Sequence, residues 1–409
     1  MLREYLDLPR AVHILCLGSF INRAGTFVIP FLTIYLRDQL GLGIEFATTA
    51  MGLCGVGAIL GALIGGHLTD HVGRRAVMLA ALFVGPLFLI VLAFLTTGPA
   101  ILACLLCFTL VSDMYRPAAS AMIADLVEPL RRPQAFGLMY VSINLGFAFG
   151  PAIGGLIADY SFRLVFFGDA ATTFVYAMIV LLLIRETRAA LPGSGGATDG
   201  ESGAGRTAPA EPGFVEALRT ILRDRVFMRL CFGSLLIALV YMQAMSTFPL
   251  FLQGVGIGPA VYGRIIATNG LLIVLLQIPV AALVARWDRG WALVLAAVLT
   301  AIGFGLHGAA STPWQFVLAV AVWTVGELMQ VPLLSPIVAE LAPAALRGRY
   351  MGMLSMSFSG ANMIGAPLGG LVLTRLGGYF LWPICTALGL LAAIVYLTIR
   401  RRVSGFAAR

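Results

Sequence analysis

The sequence contains no lysine: all 27 of its basic residues are arginine, set against 19 acidic residues in a chain of 409. Charge of any sign is scarce, at 11% of residues, where a soluble domain carries about a quarter. A chain so poor in water-facing groups is not a soluble enzyme or binding module, and with 60% hydrophobic residues it is not disordered either. The chain is far longer than a disulfide-stapled scaffold, and its few cysteines (Cys16, Cys54, Cys104, Cys107, Cys231, Cys385) all fall within apolar stretches. Cys104 and Cys107 would share one apolar helix, without the strand–helix setting of a redox motif. His13, His67, His71 and His307 are scattered singly at the ends of apolar stretches, with no metal-ligand spacing, and read as interfacial. No Gly-rich phosphate loop stands between a strand and a helix, and no catalytic constellation appears, so neither enzymatic activity, a metal nor a cofactor is expected. The formal net charge of +8 is not gathered into basic runs interleaved with aromatics, so a nucleic-acid partner is not expected.

What is abundant is long apolar sequence. A spanning helix takes roughly 20 apolar residues, and windows bounded by Gly, Pro and charge give twelve. They lie near 11–36, 46–67, 76–96, 99–122, 135–157, 164–184, 227–252, 262–285, 291–308, 313–338, 349–372 and 378–399. The first is too long, and lacks the small-residue site, for a cleavable signal. One polar, Gly/Pro-rich stretch interrupts the series at 186–226 and reads as a flexible linker between 1–185 and 227–409. Its far end, from Pro212 to Asp224, has the pattern of a short amphipathic helix.

The arginines orient the spans. With both termini on one side, twenty-one of the 27 fall in segments on that side, among them Arg74, Arg75, Arg131, Arg132, Arg286, Arg289 and Arg400 to Arg402. Only Arg37, Arg163, Arg264 and Arg375 fall on the other, and Arg23 and Arg116 lie within spans. The positive-inside rule makes the rich side cytoplasmic, with both termini there. The excess positive charge thus reports topology.

The chain also repeats itself. At a constant offset of 215 residues Pro117 matches Pro332, Asp125 matches Glu340, and Gly150, Gly154 and Gly155 match Gly365, Gly369 and Gly370. An offset sustained over several helices means two homologous halves of six spans, an architecture of secondary transporters. The fold class expected is therefore an all-α membrane protein, twelve helices in two pseudo-symmetric six-helix bundles.

An ionisable residue at bilayer depth costs roughly 2.5–3.5 kcal/mol or more, which makes it a functional candidate. Counting from span ends places Asn22 and Arg23 mid-depth in span one, and Asp113 and Arg116 in span four, one turn apart on one face. Tyr241 and Gln243 lie mid-depth in span seven; two positions apart, they face different sides, so one of them at most reaches a shared site. Glu327 lies mid-depth in span ten with Gln330 on its face and no basic neighbour within a turn, which suits a carboxyl that gains and loses a proton each cycle. Glu327 is the first proton-coupling candidate and Asp113 the second, though Asp113 and Arg116 can also simply neutralise one another, and Arg23 can pair with Asp113 or Glu327. Asp169, near the start of span six, suits a helix contact or a gate.

Two motifs carry a family resemblance. Gly66-His67-Leu68-Thr69-Asp70-His71-Val72-Gly73-Arg74-Arg75, between spans two and three, resembles the loop signature G-x-x-x-D-R/K-x-G-R/K-R/K of the major facilitator superfamily. Gly73 permits the tight turn, Asp70 is placed to cap span three, and the arginines hold the loop inside. Gly146-Phe147-Ala148-Phe149-Gly150-Pro151-Ala152-Ile153-Gly154-Gly155, in span five, resembles the G-x-x-x-G-P-x-x-G-G motif of the proton-coupled drug antiporters of that superfamily. Small residues at that spacing let helices approach, and Pro151 bends the span. That branch carries an arginine further out in span four; here the stretch is apolar, Leu105-Leu106-Cys107-Phe108, and the arginine comes later as Arg116.

The resemblance implies that spans one, four, seven and ten line a central cavity, and the mid-depth polar residues fall on those same four. It further implies that Asp125 and Glu340 join the loop arginines in clusters that close the inner gate; a solvated helix end is the plain alternative. The function expected is secondary active transport of a small solute by alternating access, as proton-coupled antiport for drug or metabolite efflux. No cofactor is needed beyond the proton gradient, and the setting is the bacterial inner membrane with a monomer in the lipid bilayer. The alternative is proton-coupled transport of an anionic metabolite or peptide held by Arg23 and Arg116. A remoter one, a non-transporting sensor, would be expected to add a signalling domain or long tail.

Overall fold

A computed structural model describes residues 7–128, 131–187, 214–343 and 346–404. Among these residues the regular structure is helical, and twelve helices are long and apolar enough to cross a membrane. The first six are Arg10–Gln39, Gly43–His71, Arg74–Leu92, Gly98–Leu126, Gln134–Tyr160 and Phe162–Leu183. The second six are Arg225–Met242, Pro259–Val284, Arg289–Leu306, Pro313–Leu341, Arg347–Leu376 and Gly378–Ser404. The chain is a multi-pass membrane protein of two six-helix bundles. Most of the expected linker lies outside the described residues; at its far end Phe214–Arg223 is a short helix whose Ile221 is buried against the second bundle.

The first helix of each bundle is broken where the sequence pattern alone reads one uninterrupted span. Span one stops at Ala24 and restarts at Val28; span seven stops at Met242 and restarts at Phe248. Each restart carries a proline in its first turn, Pro30 and Pro249. A proline there has no N–H to give to the preceding turn, so it starts a helix more readily than it continues one. In lipid the freed backbone groups need partners inside the protein. Asp169 supplies one from span six, its Oδ2 accepting the N–H groups of Phe27 and Val28 at 3.1 Å each. Asp169→Ala would orphan both donors at about 1–3 kcal/mol each. It is expected to lower the melting temperature of the detergent-purified protein by about 5 °C, with Asp169→Asn, which keeps an acceptor oxygen, losing less than half of that.

The glycine motif of span five has two working faces. Gly146, Gly150 and Gly154 lie against span one, where a Cβ would meet Arg23 Cβ at 2.6 Å, Arg23 O at 2.9 Å and the Phe27 ring at 3.0 Å. Gly155 lies instead against span eight of the other bundle, 2.6 Å from Pro259 O by the same construction, and the Pro151 carbonyl faces Gly263 with no room for a Cβ at all. The repeat reproduces this arrangement: Gly365 and Gly369 lie against Met242 and Gln243 of span seven, and Gly370 against Thr48 of span two in the other bundle. The matched glycines thus form two symmetry-related seams between bundles, both in the span halves distant from the chain ends.

Hydrogen bonds reinforce closure at that end, the arginine-poor one. Arg37 reaches Gln253 and, at 3.3 Å, the Leu250 carbonyl; Arg375 pairs with Glu45 at 3.2 Å; Asp159 accepts the Ala260 N–H at 3.4 Å. Phe31 and Tyr262 meet edge to face across the same seam, their ring centres 5.4 Å apart. Two of the four arginines that topology assigns to this side therefore hold the bundles together.

Candidate functional site

Between the bundles lies a cavity of about 610 Å³, within the size range of small-molecule sites. It runs from mid-depth toward the arginine-rich end, where Ser120, Ile123, Phe136 and Leu334 line it. Spans one and four contribute Ser19, Asn22, Arg23, Tyr115 and Arg116; spans seven, eight and ten contribute Tyr241, Asn269, Trp323, Glu327 and Gln330. Apolar wall comes from Phe136, Met139, Phe147, Met242, Met245 and Phe358. Positive groups therefore belong to the first bundle and the negative group to the second, with an amphiphilic space between.

Glu327 is half-buried, and its Oε2 accepts a hydrogen bond from Asn269 Nδ2 at 2.9 Å. Asn269 also donates to Thr324 Oγ1 at 3.1 Å, which fixes the amide on the carboxylate. No cation pairs with Glu327 among the described residues. On the opposite wall Arg116 Nε pairs with Asp113 Oδ1 at 2.7 Å, while 64% of the Arg116 side chain stays exposed. Arg23 makes no hydrogen bond or ion pair among the described residues, so it does not pair with Asp113 or Glu327. Asn22 donates to Thr173 at 2.9 Å. Ser19, Tyr115 and Tyr176 join hydroxyls at 2.7–3.2 Å, and Tyr176 donates on to Leu15 O.

Three expectations need correction here. Gln243 does not line the cavity: its amide donates to Leu239 O at 3.0 Å and Gly365 O at 2.9 Å and accepts from Thr247, sealing the broken backbone of span seven against span eleven. Tyr241 is the member of that pair that lines the cavity, with its hydroxyl on Thr300 at 3.0 Å. Asp113 sits in a smaller side chamber of about 130 Å³ behind Arg23 and Arg116, which Asp169 also lines, and not in the main cavity. Gln330 does line the cavity, but its amide is turned to Tyr396 at 3.2 Å. His307 differs from its interfacial reading as well: it is buried among Phe248, Phe316 and Trp382, with Nδ1 on Phe304 O.

At the arginine-rich end the loop motif folds around Gly73, whose φ of +122° suits glycine alone. Asp70 lies in the last turn of span two and does not cap span three. Glu186, from the end of span six, takes that place, its two oxygens accepting the N–H groups of Arg74 and Arg75 at 3.0 Å each. Arg74 pairs with Asp125 at 2.9 Å, and the repeat gives the counterpart, Arg289 with Glu340 at 2.7 Å. Both pairs tie spans together within one bundle. Gly66 has open space about it, and Arg75 donates to Leu181 O.

Sequence reasoning passed over Asn269, Tyr115 and Glu186. Asn269 carries the same signal as Glu327, a lone polar side chain deep in an apolar run, but on span eight, outside the four helices under scrutiny. Glu186 has no sequence signal, since its partners lie 111 and 112 positions away.

Twelve spans in two repeats around a central amphiphilic cavity define a membrane transporter. Residues 15–261 and 230–408 match the family model of the Major Facilitator Superfamily, and the chain belongs to that superfamily. Among its relatives, the MFS-type transporter YttB of Bacillus subtilis is 29% identical over 90% of both chains. A Na(+), Li(+), K(+)/H(+) antiporter of Planococcus maritimus is 27% identical over 96% of each. The multidrug resistance protein MdtH of Cronobacter sakazakii is 26% identical over 85% of this chain and 83% of that one. Among solved structures, a POT family transporter in complex with 5-aminolevulinic acid superimposes over 97% of both chains, with a TM-score of 0.79 at 17% identity.

Proposed function

We propose that this transporter moves a small drug-like or metabolic solute out of the bacterial cytoplasm in exchange for protons, with Glu327 as the coupling carboxyl. One observation carries the reading: a half-buried carboxyl in the cavity wall, held by Asn269 and paired with no cation among the described residues. Such a group can hold either a proton or a cationic portion of the solute, and that competition couples the two. Relatives named as a cation/proton antiporter and as a multidrug resistance protein support it. The arginine-rich end is read as cytoplasmic, so the described state is inward-facing in the inner membrane, with both termini inside. The halves 1–185 and 227–409, joined by the 186–226 linker, rock as a monomer around the central cavity, and the arginine–carboxylate pairs at Asp125 and Glu340 stiffen the inner gate. In proteoliposomes, a solute chosen by its thermal stabilisation of the purified protein should move faster under an imposed pH gradient. Flux that ignores the gradient would remove the proposal.

A second reading keeps the coupling and changes the cargo. Among the described residues Arg23 is an unpaired guanidinium in the wall, and Arg116 is half-neutralised by Asp113 yet exposed. An anionic metabolite or peptide carboxylate would suit them. On this reading Arg23→Gln weakens transport of anionic solutes at least about tenfold, Arg116→Gln less, and cationic solutes are spared; an equal loss for both charge classes argues against it.

A further inference from the structure

The ninth and twelfth spans pack backbone to backbone at the arginine-rich end, where a Cβ on Gly290 would lie 2.7 Å from Arg400 O. Beside that contact, on the outer surface of the second bundle, runs a groove of about 500 Å³ lined by Trp291, Leu397, Thr398, Arg400, Arg401 and Arg402. Below it, toward the membrane interior, two apolar stripes continue along the helices. Trp291, Leu295 and Ile302 are exposed on one, and Leu390, Ile394 and Leu397 on the other. At the top, the Arg400 guanidinium stacks 4.4 Å from the centre of the Trp291 ring. Arg401 and Arg402 are exposed and make no hydrogen bond or ion pair among the described residues, in contrast to Arg74 and Arg289 at the same end. The neighbouring carboxylate, Asp288, makes no ion pair with these arginines: its Oδ1 accepts the Trp291 N–H at 2.9 Å and the Ser404 hydroxyl at 2.7 Å. The groove thus joins two exposed apolar stripes at acyl depth to the Arg401 and Arg402 guanidinium groups, unpaired among the described residues, at headgroup depth, with a tryptophan at the boundary where such rings concentrate.

We propose that this groove holds an anionic glycerophospholipid, its phosphate on Arg401 and Arg402 and one acyl chain between the two stripes. Guanidinium binds phosphate in a forked, charge-assisted way, and a basic group at the surface of the anionic leaflet adds attraction that a zwitterionic lipid does not share. The site lies on the lipid-facing surface, away from the transport cavity, and does not depend on the identity of the solute.

The test is native mass spectrometry of the full-length protein, released from mixed micelles holding equal phosphatidylglycerol and phosphatidylcholine of the same chains. Wild type should retain phosphatidylglycerol in preference by about tenfold. The double variant R401Q/R402Q should lose that preference, and Trp291→Leu, which leaves every charge in place, should reduce it about threefold. A double variant R225Q/R229Q, removing the same charge from exposed arginines elsewhere at that end, should keep it. Soluble glycerol 3-phosphate in excess should not displace the lipid, because it lacks the chain. Equal retention of the two lipids, loss of preference in both double variants alike, wild-type preference in both R401Q/R402Q and Trp291→Leu, or displacement by glycerol 3-phosphate would each overturn the assignment.

Discussion

Glu327→Gln is expected to abolish proton-driven accumulation of the solute, a fall of about two orders of magnitude, while exchange of solute for solute without a gradient persists. Glutamine retains the volume of the side chain and an oxygen to accept from Asn269, which now lies 2.9 Å from the carboxylate. It cannot carry a proton, so the linkage between protonation and solute binding disappears while the fold and the cavity remain. Asn269→Ala should act more mildly, since it frees the carboxyl without removing it. Its expected signature is a shifted pH dependence of transport with the maximal rate within about tenfold of wild type. Initial rates in proteoliposomes across a series of imposed pH gradients separate the two variants. Wild-type coupled transport by Glu327→Gln would exclude this residue from the coupling step.

The second large effect is conformational. Gly263→Leu places a side chain where the Pro151 carbonyl of the other bundle now sits, a contact with backbone that no rotamer can relieve. Overpacking commonly costs about 1–3 kcal/mol, and about 3 kcal/mol is a factor of about 150 in the population of the state closed at the arginine-poor end. A transporter that cannot close one side cannot complete a cycle, so turnover should fall about a hundredfold. Ligand binding from the opposite face should survive. Cysteine placed at Gln253, beside Arg37, should become more reactive to a membrane-impermeant maleimide in Gly263→Leu. Unchanged labelling with full turnover would show that this seam does not close during transport. Gly137 and Gly352, also matched by the repeat, have nothing within 4 Å of a Cβ; their replacement by alanine should leave turnover within about twofold, as expected for sites away from such features.

The span count and bundle architecture are legible in the sequence, because hydrocarbon admits only long apolar helices and the repeat marks the halves. The cavity is legible in part for a related reason: a charge at bilayer depth is costly enough to draw attention even where a partner can neutralise it, so Arg23, Arg116 and Glu327 stand out. Neutral polar residues do not. Gln243 and Gln330 resemble cavity groups by depth, yet Gln243 repairs the break in its own helix, a break that Pro249 marks only once the helix is seen to stop. Asp70 and Glu186 show the same limit: which carboxylate caps span three depends on how span six ends, and loop spacing does not encode that. The glycine motif is recognisable as a packing motif, but its division into one face for span one and one for span eight is visible only in three dimensions.

Proton movement driven by the solute tests the coupling most directly. Proteoliposomes enclosing a pH-sensitive dye, with a gradient of the solute and none of pH, should acidify or alkalinise as the solute crosses. Protons should run opposite to the solute in fixed proportion, and Glu327→Gln should abolish the proton signal. Solute crossing at the wild-type rate with no proton movement, or proton movement unaltered in Glu327→Gln, would contradict a coupling cycle centred on that carboxyl.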